Sequence, residues 1–566
     1  MSFIKTILIK YILPLAEKIA PRWVEKIKVN LIVGAEKGRR PHPFSLWTGM
    51  GMAPPPEGAT APVAKPNPES QFVAGDPAAA FAAASAPFGP SGYVSWPGLA
   101  DRRYSGRHLA PRPIADLPSA EEVVDTLFLR APGHFVPSPR SSTLFCFFAQ
   151  WFTDSFLRTD PIDRRRNTSN HEIDYCQIYG LDERTTFALR EGQGGRMRLE
   201  NGLLPRLADP TGAVRPEFAE LSYVRNDTPD PRNEPPGTRL RNAIGWSLTG
   251  TGPLDDDRWQ ALYASGLDRG NSTILYTAIS TMCLREHNRV AGEIVRRHPG
   301  WDDDRLFETT RIVMIRNVLT IVVENYINHL TGGVRFKLDR GFAEQQDWYR
   351  SNRISLEFNL LYRWHSLVPD KLTVAGTGYS PQDYRFNNAL LEQLGVEECI
   401  NAASTQPAGR VGLYNTPPFL KRAEMATLDM ARTFELQPFV AYCERFSVKP
   451  PQSIAELTGG DARATADLTR LYGSVERVEL PVGLIAQGRE AGDKDAVLPP
   501  LIRAMVAVDA FTHIFTNPLL ARQVHKAAFE GQADALGDLI DESGDLAGLM
   551  RRSARPGFAI RPSFDL

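Results

Sequence analysis

Two short stretches hold side chains that could do chemistry as well as pack. In NRISLEFNLLYRWHSLVPD, residues 352–370, Tyr362 and His365 lie three apart with Trp364 alongside. On a helix this spacing places both on one face. A neutral imidazole can ligate haem iron, and a phenol held near a porphyrin can lose an electron and a proton to it. On spacing alone, such a pair is far more often core or surface, so both readings stay open.

The second stretch is STLFCFFAQWFTDSFLRTD, residues 142–160, where Gln150 and Asp154 fall four apart, as do Phe152 and Phe156. A helix would then show an amide and a carboxylate on one face and two rings fit for an apolar cavity on the other. The plainer alternative is an aromatic core helix with a solvated polar edge.

The elements that must position these residues read as mainly α. Thr273 to Arg297 has a strong helical pattern stopped by His298-Pro299-Gly300, and Asp302 to Asp304 cap another that runs to Leu330 before Gly332-Gly333. Strand patterns are few and short. Apolar residues at helical intervals between Ile4 and Ile27 alternate with Lys5, Lys10, Lys18, Arg22, Lys26 and Lys28, so residues 1–52 are expected to hold an amphipathic segment at an anionic membrane surface. Lys10, Pro14 and Glu17 interrupt any spanning run. Residues 53–97 are rich in Pro and Ala and read as a surface excursion. Residues 98–566 then form the main domain, consistent with 42% hydrophobic content in 566 residues.

Lys and Arg total 65 against 66 Asp and Glu, a net charge of -1, which provides no global field for nucleic acid. The five cysteines, Cys146, Cys176, Cys283, Cys399 and Cys443, have neither zinc spacing nor an even count. A cytoplasmic protein touching the inner face of the membrane is expected.

Taken in order, VSWPGLADRRYSGRHLAPRP, FFAQWFT, HEIDYCQIYG, LREHNRVAGEIVRRHPGWDDDRLFETTRIVMI, IVVENYINHLTG, EFNLLYRWHSLVPD, QPAGRV and ELQPFVAYCERFSVKPPQSIAELTG resemble the animal-type haem peroxidase superfamily. The likeness covers roughly residues 94–520. That superfamily includes the cyclooxygenases, and the YRWHS wording is also similar to the dioxygenase domain of the fungal linoleate diol synthases.

The resemblance implies non-covalent haem b with His365 as iron ligand and Tyr362 as the radical that abstracts hydrogen. It makes Tyr326 the tyrosine that orients Tyr362, and Gln150 the distal amide. Phe152, Phe156, Ile327, Phe358 and Leu361 match or adjoin positions lining a fatty-acid channel. The reaction implied is addition of O2 to an unsaturated fatty acid after activation by peroxide, giving a hydroperoxide. The alternative is a haem peroxidase using hydrogen peroxide and a reducing co-substrate.

Asp154 departs from the pattern, standing where the cyclooxygenases have a distal histidine. A carboxylate with an ordinary pKa near 4 is a poorer acid–base catalyst at neutral pH, so weak peroxidase turnover is expected. The ester-forming carboxylate of the halide-oxidising relatives falls at Thr153. The channel-mouth tyrosine falls at Gly333-Val334, Arg39 and Arg40 are candidates for the substrate carboxylate by location alone, and Thr512 is one counterpart of the acylatable serine.

Overall fold

Apolar residues occupy every side of Thr143–Thr153, TLFCFFAQWFT, so a helix formed there belongs in the interior. Ser142 starts it, its hydroxyl accepting the Phe145 N–H at 3.3 Å. Every residue of this helix is buried except Gln150, which is half-buried.

The computed structural model describes Leu13, Ala16, residues 20–33 and 42–43, and residues 102–566 apart from 161–163, 226–234, 332–334, 342, 347, 350–351, 489–495, 531–535 and 544. The Pro/Ala-rich stretch 53–97, Arg39, Arg40 and Gly333-Val334 therefore lie outside the described residues. The helices used below are α1 (Pro21–Val33), α2 (Thr143–Thr153), α3 (Ile274–Arg297), α4 (Asp303–Ile321), α5 (Leu356–Leu361), α6 (Lys421–Thr433) and α7 (Pro500–Phe515). The fold is mainly α. The described strands form three two-stranded antiparallel ribbons, pairing His42 with Arg107, Leu372 with Tyr379, and Pro137 with Gly409.

α3 is packed against α2 and α4, and its start and stop are those expected: Thr273 caps it by accepting the Tyr276 N–H at 3.1 Å, and His298 ends it. The LREHNRV segment on α3 works as a fastener. Asn288 bonds both the N–H and the carbonyl of Met197 at 2.8 Å, and His287 Nε2 donates to the Gly195 carbonyl at 2.9 Å. Because a carbonyl can only accept, His287 Nδ1 must accept from the Tyr179 hydroxyl at 2.8 Å. Burial pulls its pKa down to about 4, which keeps this arrangement uncharged.

α4 begins at Asp302, which accepts the Arg305 N–H at 2.8 Å. It runs to Ile321, widens into a π-helical turn over Val322–Ile327, and closes as Asn328–Leu330. Such turns are uncommon and cluster at functional sites. Here the turn carries Tyr326.

The described end of the amphipathic segment, α1, docks on α7. Val29 and Val33 join the main core, and the Lys28 ammonium donates to the Arg335 carbonyl at 2.8 Å. Among the described residues no helix is long and apolar enough to cross a membrane. All five cysteines are buried free thiols.

One expectation fails in its mechanism. Tyr362 and His365 do not share a helix: α5 stops at Tyr362, Trp364 leaves helical geometry at φ -91° and ψ 50°, and His365 opens a 3₁₀ turn, His365–Leu367. Pro369 keeps Val368 in extended backbone at φ -72° and ψ 121° and ends the 3₁₀ turn there. The turn is held from outside. Arg130 donates to the Val368 carbonyl, and Gly409 presses its backbone against the Ser366 carbonyl so closely that a Cβ there would overlap the oxygen.

Gly409→Ala should therefore lower stability by about 1–3 kcal/mol through overpacking. Gly300→Ala is the control, because its Cβ would meet nothing within 4 Å. Urea midpoints of the two variants should differ clearly, with Gly300→Ala near the parent.

Candidate active site

A cavity of about 330 Å³ is lined by Gln150, Thr153, Asp154, Arg269, Tyr362, Arg363, Trp364, His365 and Arg385, among others. It thus gathers four of the residues singled out in the sequence: Gln150 and Asp154 from the end of α2, Tyr362 and His365 from the chain after α5. Tyr326, Phe152, Phe156, Ile327, Phe358 and Leu361 do not line it. They are buried in the surrounding core, where rings close around the two tyrosines.

The Tyr362 ring stacks on Trp364 at 4.7 Å and meets Phe358 edge-on at 5.2 Å. Tyr326 is buried between Phe145 at 5.4 Å and Phe152 at 5.5 Å. Phe152 continues to Phe156 at 5.1 Å, and Phe156 stacks on Phe358 at 6.0 Å, so the aromatic wall links α2 to α5. The Tyr326 hydroxyl faces that of Tyr362 without the alignment of a regular hydrogen bond. Burial pushes the pKa of both phenols up, and for Tyr362 the neighbouring Tyr326 hydroxyl offsets part of the rise. Both are neutral phenols at physiological pH.

His365 shows 18% of its side chain, and its Nδ1 lies 3.1 Å from Glu424 Oε1 on α6. Glu424 is only 3% exposed and also accepts the Thr416 hydroxyl at 2.8 Å. The contact is at ion-pair distance without the alignment of a hydrogen bond, and a carboxylate on the Nδ1 side leaves Nε2 as the nitrogen able to bind a metal. Glu424 is absent from the sequence reading because KRAEMATLDMART reads as an amphipathic surface helix, and nothing local marks its glutamate as buried.

Asp154 follows the last turn of α2, its N–H donating to the Gln150 carbonyl at 3.2 Å. Its Oδ1 is 3.1 Å from Arg269 Nη1, while Oδ2 is buried with no partner. Burial raises the carboxyl pKa, and the Arg269 and Arg158 charges only oppose this. The carboxylate expected to keep an ordinary pKa is therefore shifted toward the range useful for proton transfer. Gln150 Nε2 donates to Ser272 Oγ at 3.2 Å, and Thr153 spends its hydroxyl on the Ala149 carbonyl at 2.8 Å. Thr512 does likewise with the Val508 carbonyl at 2.7 Å, while its neighbour His513 packs on Phe156 at 5.5 Å and Phe358 at 6.0 Å.

Among the described residues no three His, Cys, Asp or Glu side chains converge to hold a metal ion. One imidazole in a cavity edged by unpaired buried polar atoms of Asp154, Arg363 and Trp364 suits instead a metal already carried in an organic ring. The model of the animal haem peroxidase family matches residues 155–514.

The chain belongs to the animal haem peroxidase family. It is similar to prostaglandin G/H synthase 2 of Equus caballus, 31% identical over 460 residues that cover 78% of this chain and 69% of the relative. Its fold is that of the fatty acid alpha-dioxygenase of Oryza sativa, with a TM-score of 0.66, 15% identity, and coverage of 98% of this chain and 94% of that one. Peroxidase A from Dictyostelium discoideum shares the fold at a TM-score of 0.58 and 17% identity, covering 82% and 93%. This family member is an oxidoreductase, and haem iron is its cofactor.

The Asp154–Arg269 pair generates a pH prediction. Arg269→Ala removes the cation that opposes the burial-raised pKa, so the carboxyl pKa climbs further above its unfolded value. A raised folded pKa destabilises the fold above that pKa and ceases to do so as pH falls below the unfolded value near 4. The variant should be about 1–3 kcal/mol less stable at neutral pH, and the deficit should shrink toward pH 4, measured as melting temperature against pH. A deficit independent of pH would show that Asp154 is not the group left stranded.

Proposed function

We propose that this protein is a fatty acid dioxygenase that works through a tyrosyl radical on Tyr362. The carrying observation is that Tyr362 lines the same cavity as His365 while its hydroxyl faces the buried Tyr326 hydroxyl inside a wall of aromatic rings. The cyclooxygenase-type relative and the dioxygenase fold support the same reading.

His365 would ligate the iron, with Glu424 on its Nδ1 side, and Gln150, Asp154 and Arg269 would provide the polar groups around a peroxide. Haem, once bound and activated by peroxide, supplies the oxidising equivalent that converts a phenol to a phenoxyl radical. Tyr362 gives up a hydrogen atom, and Tyr326 holds the phenol in one orientation throughout. The Tyr362 radical then takes a hydrogen atom from a bound unsaturated fatty acid. Dioxygen adds to the carbon radical, and the peroxyl radical recovers a hydrogen atom from Tyr362, releasing a hydroperoxide and regenerating the radical. The rings of Phe152, Phe156 and Phe358, with Ile327 and Leu361, keep water away from it and border the acyl chain. Residues 98–566 are the catalytic unit in this reading.

Membrane contact is part of the proposal. Since α1 is docked on the body, that contact would fall to residues 1–19, and their deletion should release the protein from anionic liposomes with haem retained.

A second reading, peroxidase turnover with a reducing co-substrate, draws support from the raised pKa of Asp154 beside Arg269. Two substitutions separate the readings. Tyr362→Phe should retain haem and consume no oxygen with linoleate, whereas a plain peroxidase would lose nothing. Asp154→His should raise hydrogen peroxide turnover by about 10²-fold or more and alter steady oxygen uptake much less. A histidine variant slower than the parent with peroxide would show that Asp154 is already an effective acid–base group.

A further inference from the structure

The cavity that holds His365 is lined by three guanidinium groups and one carboxylate. Arg269 is matched by Asp154 at 3.1 Å. Arg363 and Arg385 have no carboxylate within ion-pair distance among the described residues. Arg363 Nη2 donates to Asn359 Oδ1 at 2.9 Å, and its Nε is buried with no partner. Arg385 Nη2 donates to Ser247 Oγ at 2.9 Å, and its guanidinium lies 5.5 Å from the centre of the Phe419 ring. The carboxylate of Glu424 is engaged by Thr416 and lies against His365.

An arginine stays charged under any physiological condition, and a charge taken out of water without a counter-ion is strongly unfavourable. Two uncompensated cations in one half-closed cavity call for two negative charges. The family's cofactor has two carboxylates on one edge of an otherwise apolar ring. Planar guanidinium is the side chain suited to bind a carboxylate through paired N–H donors.

We propose that Arg363 and Arg385 are the anchors of the two haem propionates, fixing the rotation of the ring in the cavity and holding it against loss. The proposal rests on haem being the resident group and not on which reaction the haem supports. It gives Arg363 a role separate from the one proposed for its neighbour Tyr362.

The test uses haem-loaded protein carrying Arg363→Gln, Arg385→Gln, or Arg363→Lys. Haem release to excess apomyoglobin should be faster by about tenfold or more for each glutamine variant, the loss expected for one charge-assisted bond. The lysine variant, which restores charge without the planar fork, should fall between. Resonance Raman spectra of the same holoproteins should show the propionate bending band moved in each glutamine variant, a signal that a merely structural role would not move. Unchanged release and an unchanged propionate band in both variants would overturn the assignment. So would faster release with the band unmoved, or haem fully retained with KM for the fatty acid raised, since the last would mean that the arginines bind the substrate carboxylate instead. Haem release and the propionate band do not depend on oxygenation, so failure of the dioxygenase reading would leave both interpretable.

Discussion

The site depends on keeping one short turn, Trp364 to Val368, in a single shape with only two 3₁₀ hydrogen bonds of its own, Leu367 N–H to the Trp364 carbonyl at 2.9 Å and Val368 N–H to the His365 carbonyl at 3.1 Å. Its backbone is fixed by partners far away in sequence: the Arg130 guanidinium on the Val368 carbonyl, Asn415 Nδ2 at 3.4 Å from the Ser366 carbonyl, and the bare backbone of Gly409. Non-local constraints of this kind are what allow His365 to leave the helix that ends at Tyr362 and still face the same cavity. The fastening of α3 by Asn288 and His287 serves a similar end, since α2 is packed on α3 and brings Gln150 and Asp154 to the cavity.

Around that turn the polar and apolar surroundings are sharply divided. One side of Tyr362 meets rings and a second phenol. The cavity side holds a carboxylate, an amide and several guanidinium groups, suited to peroxide and to an acidic cofactor edge. Burial acts on both sides by opposing charge: it keeps the phenols protonated and raises the proton affinity of Asp154. The residue that stands in place of the distal histidine is thus desolvated beside Arg269, with its proton affinity raised above that of an ordinary carboxylate.

How far the chain alone could be read was set by the range of the forces involved. The four-residue spacing of Gln150 and Asp154, the start and stop of α3, and the Asp302 cap are local and were legible. The haem-family assignment and the gathering of Gln150, Asp154, Tyr362 and His365 also emerged, though the last two meet by a route that helical spacing misdescribes. Arg269 lies 115 residues from Asp154 and Glu424 lies in a segment patterned like a surface helix, so neither partner carries a local mark. Arg363 stood inside the quoted YRWHS wording but counted only as spacing, because an arginine in sequence gives no sign of whether a counter-ion awaits it. The membrane-facing role of the first residues rests on pattern, and the described part, α1, is engaged with the body.

The π-helical turn at Val322–Ile327 sets the angular phase of everything around it. Each residue of an α-helix advances the chain by about 100° about the axis, so a turn that holds one extra residue rotates the downstream helix by that amount relative to the upstream one. Tyr326 lies inside this phase slip and neighbours Tyr362. A lineage that lost the single extra residue would keep a longer and more regular helix with unchanged hydrophobic content, yet would turn the tyrosine away from its partner. Loss of the paired phenols in such a relative would then reflect a change in helix register, with every residue of the motif still in the sequence.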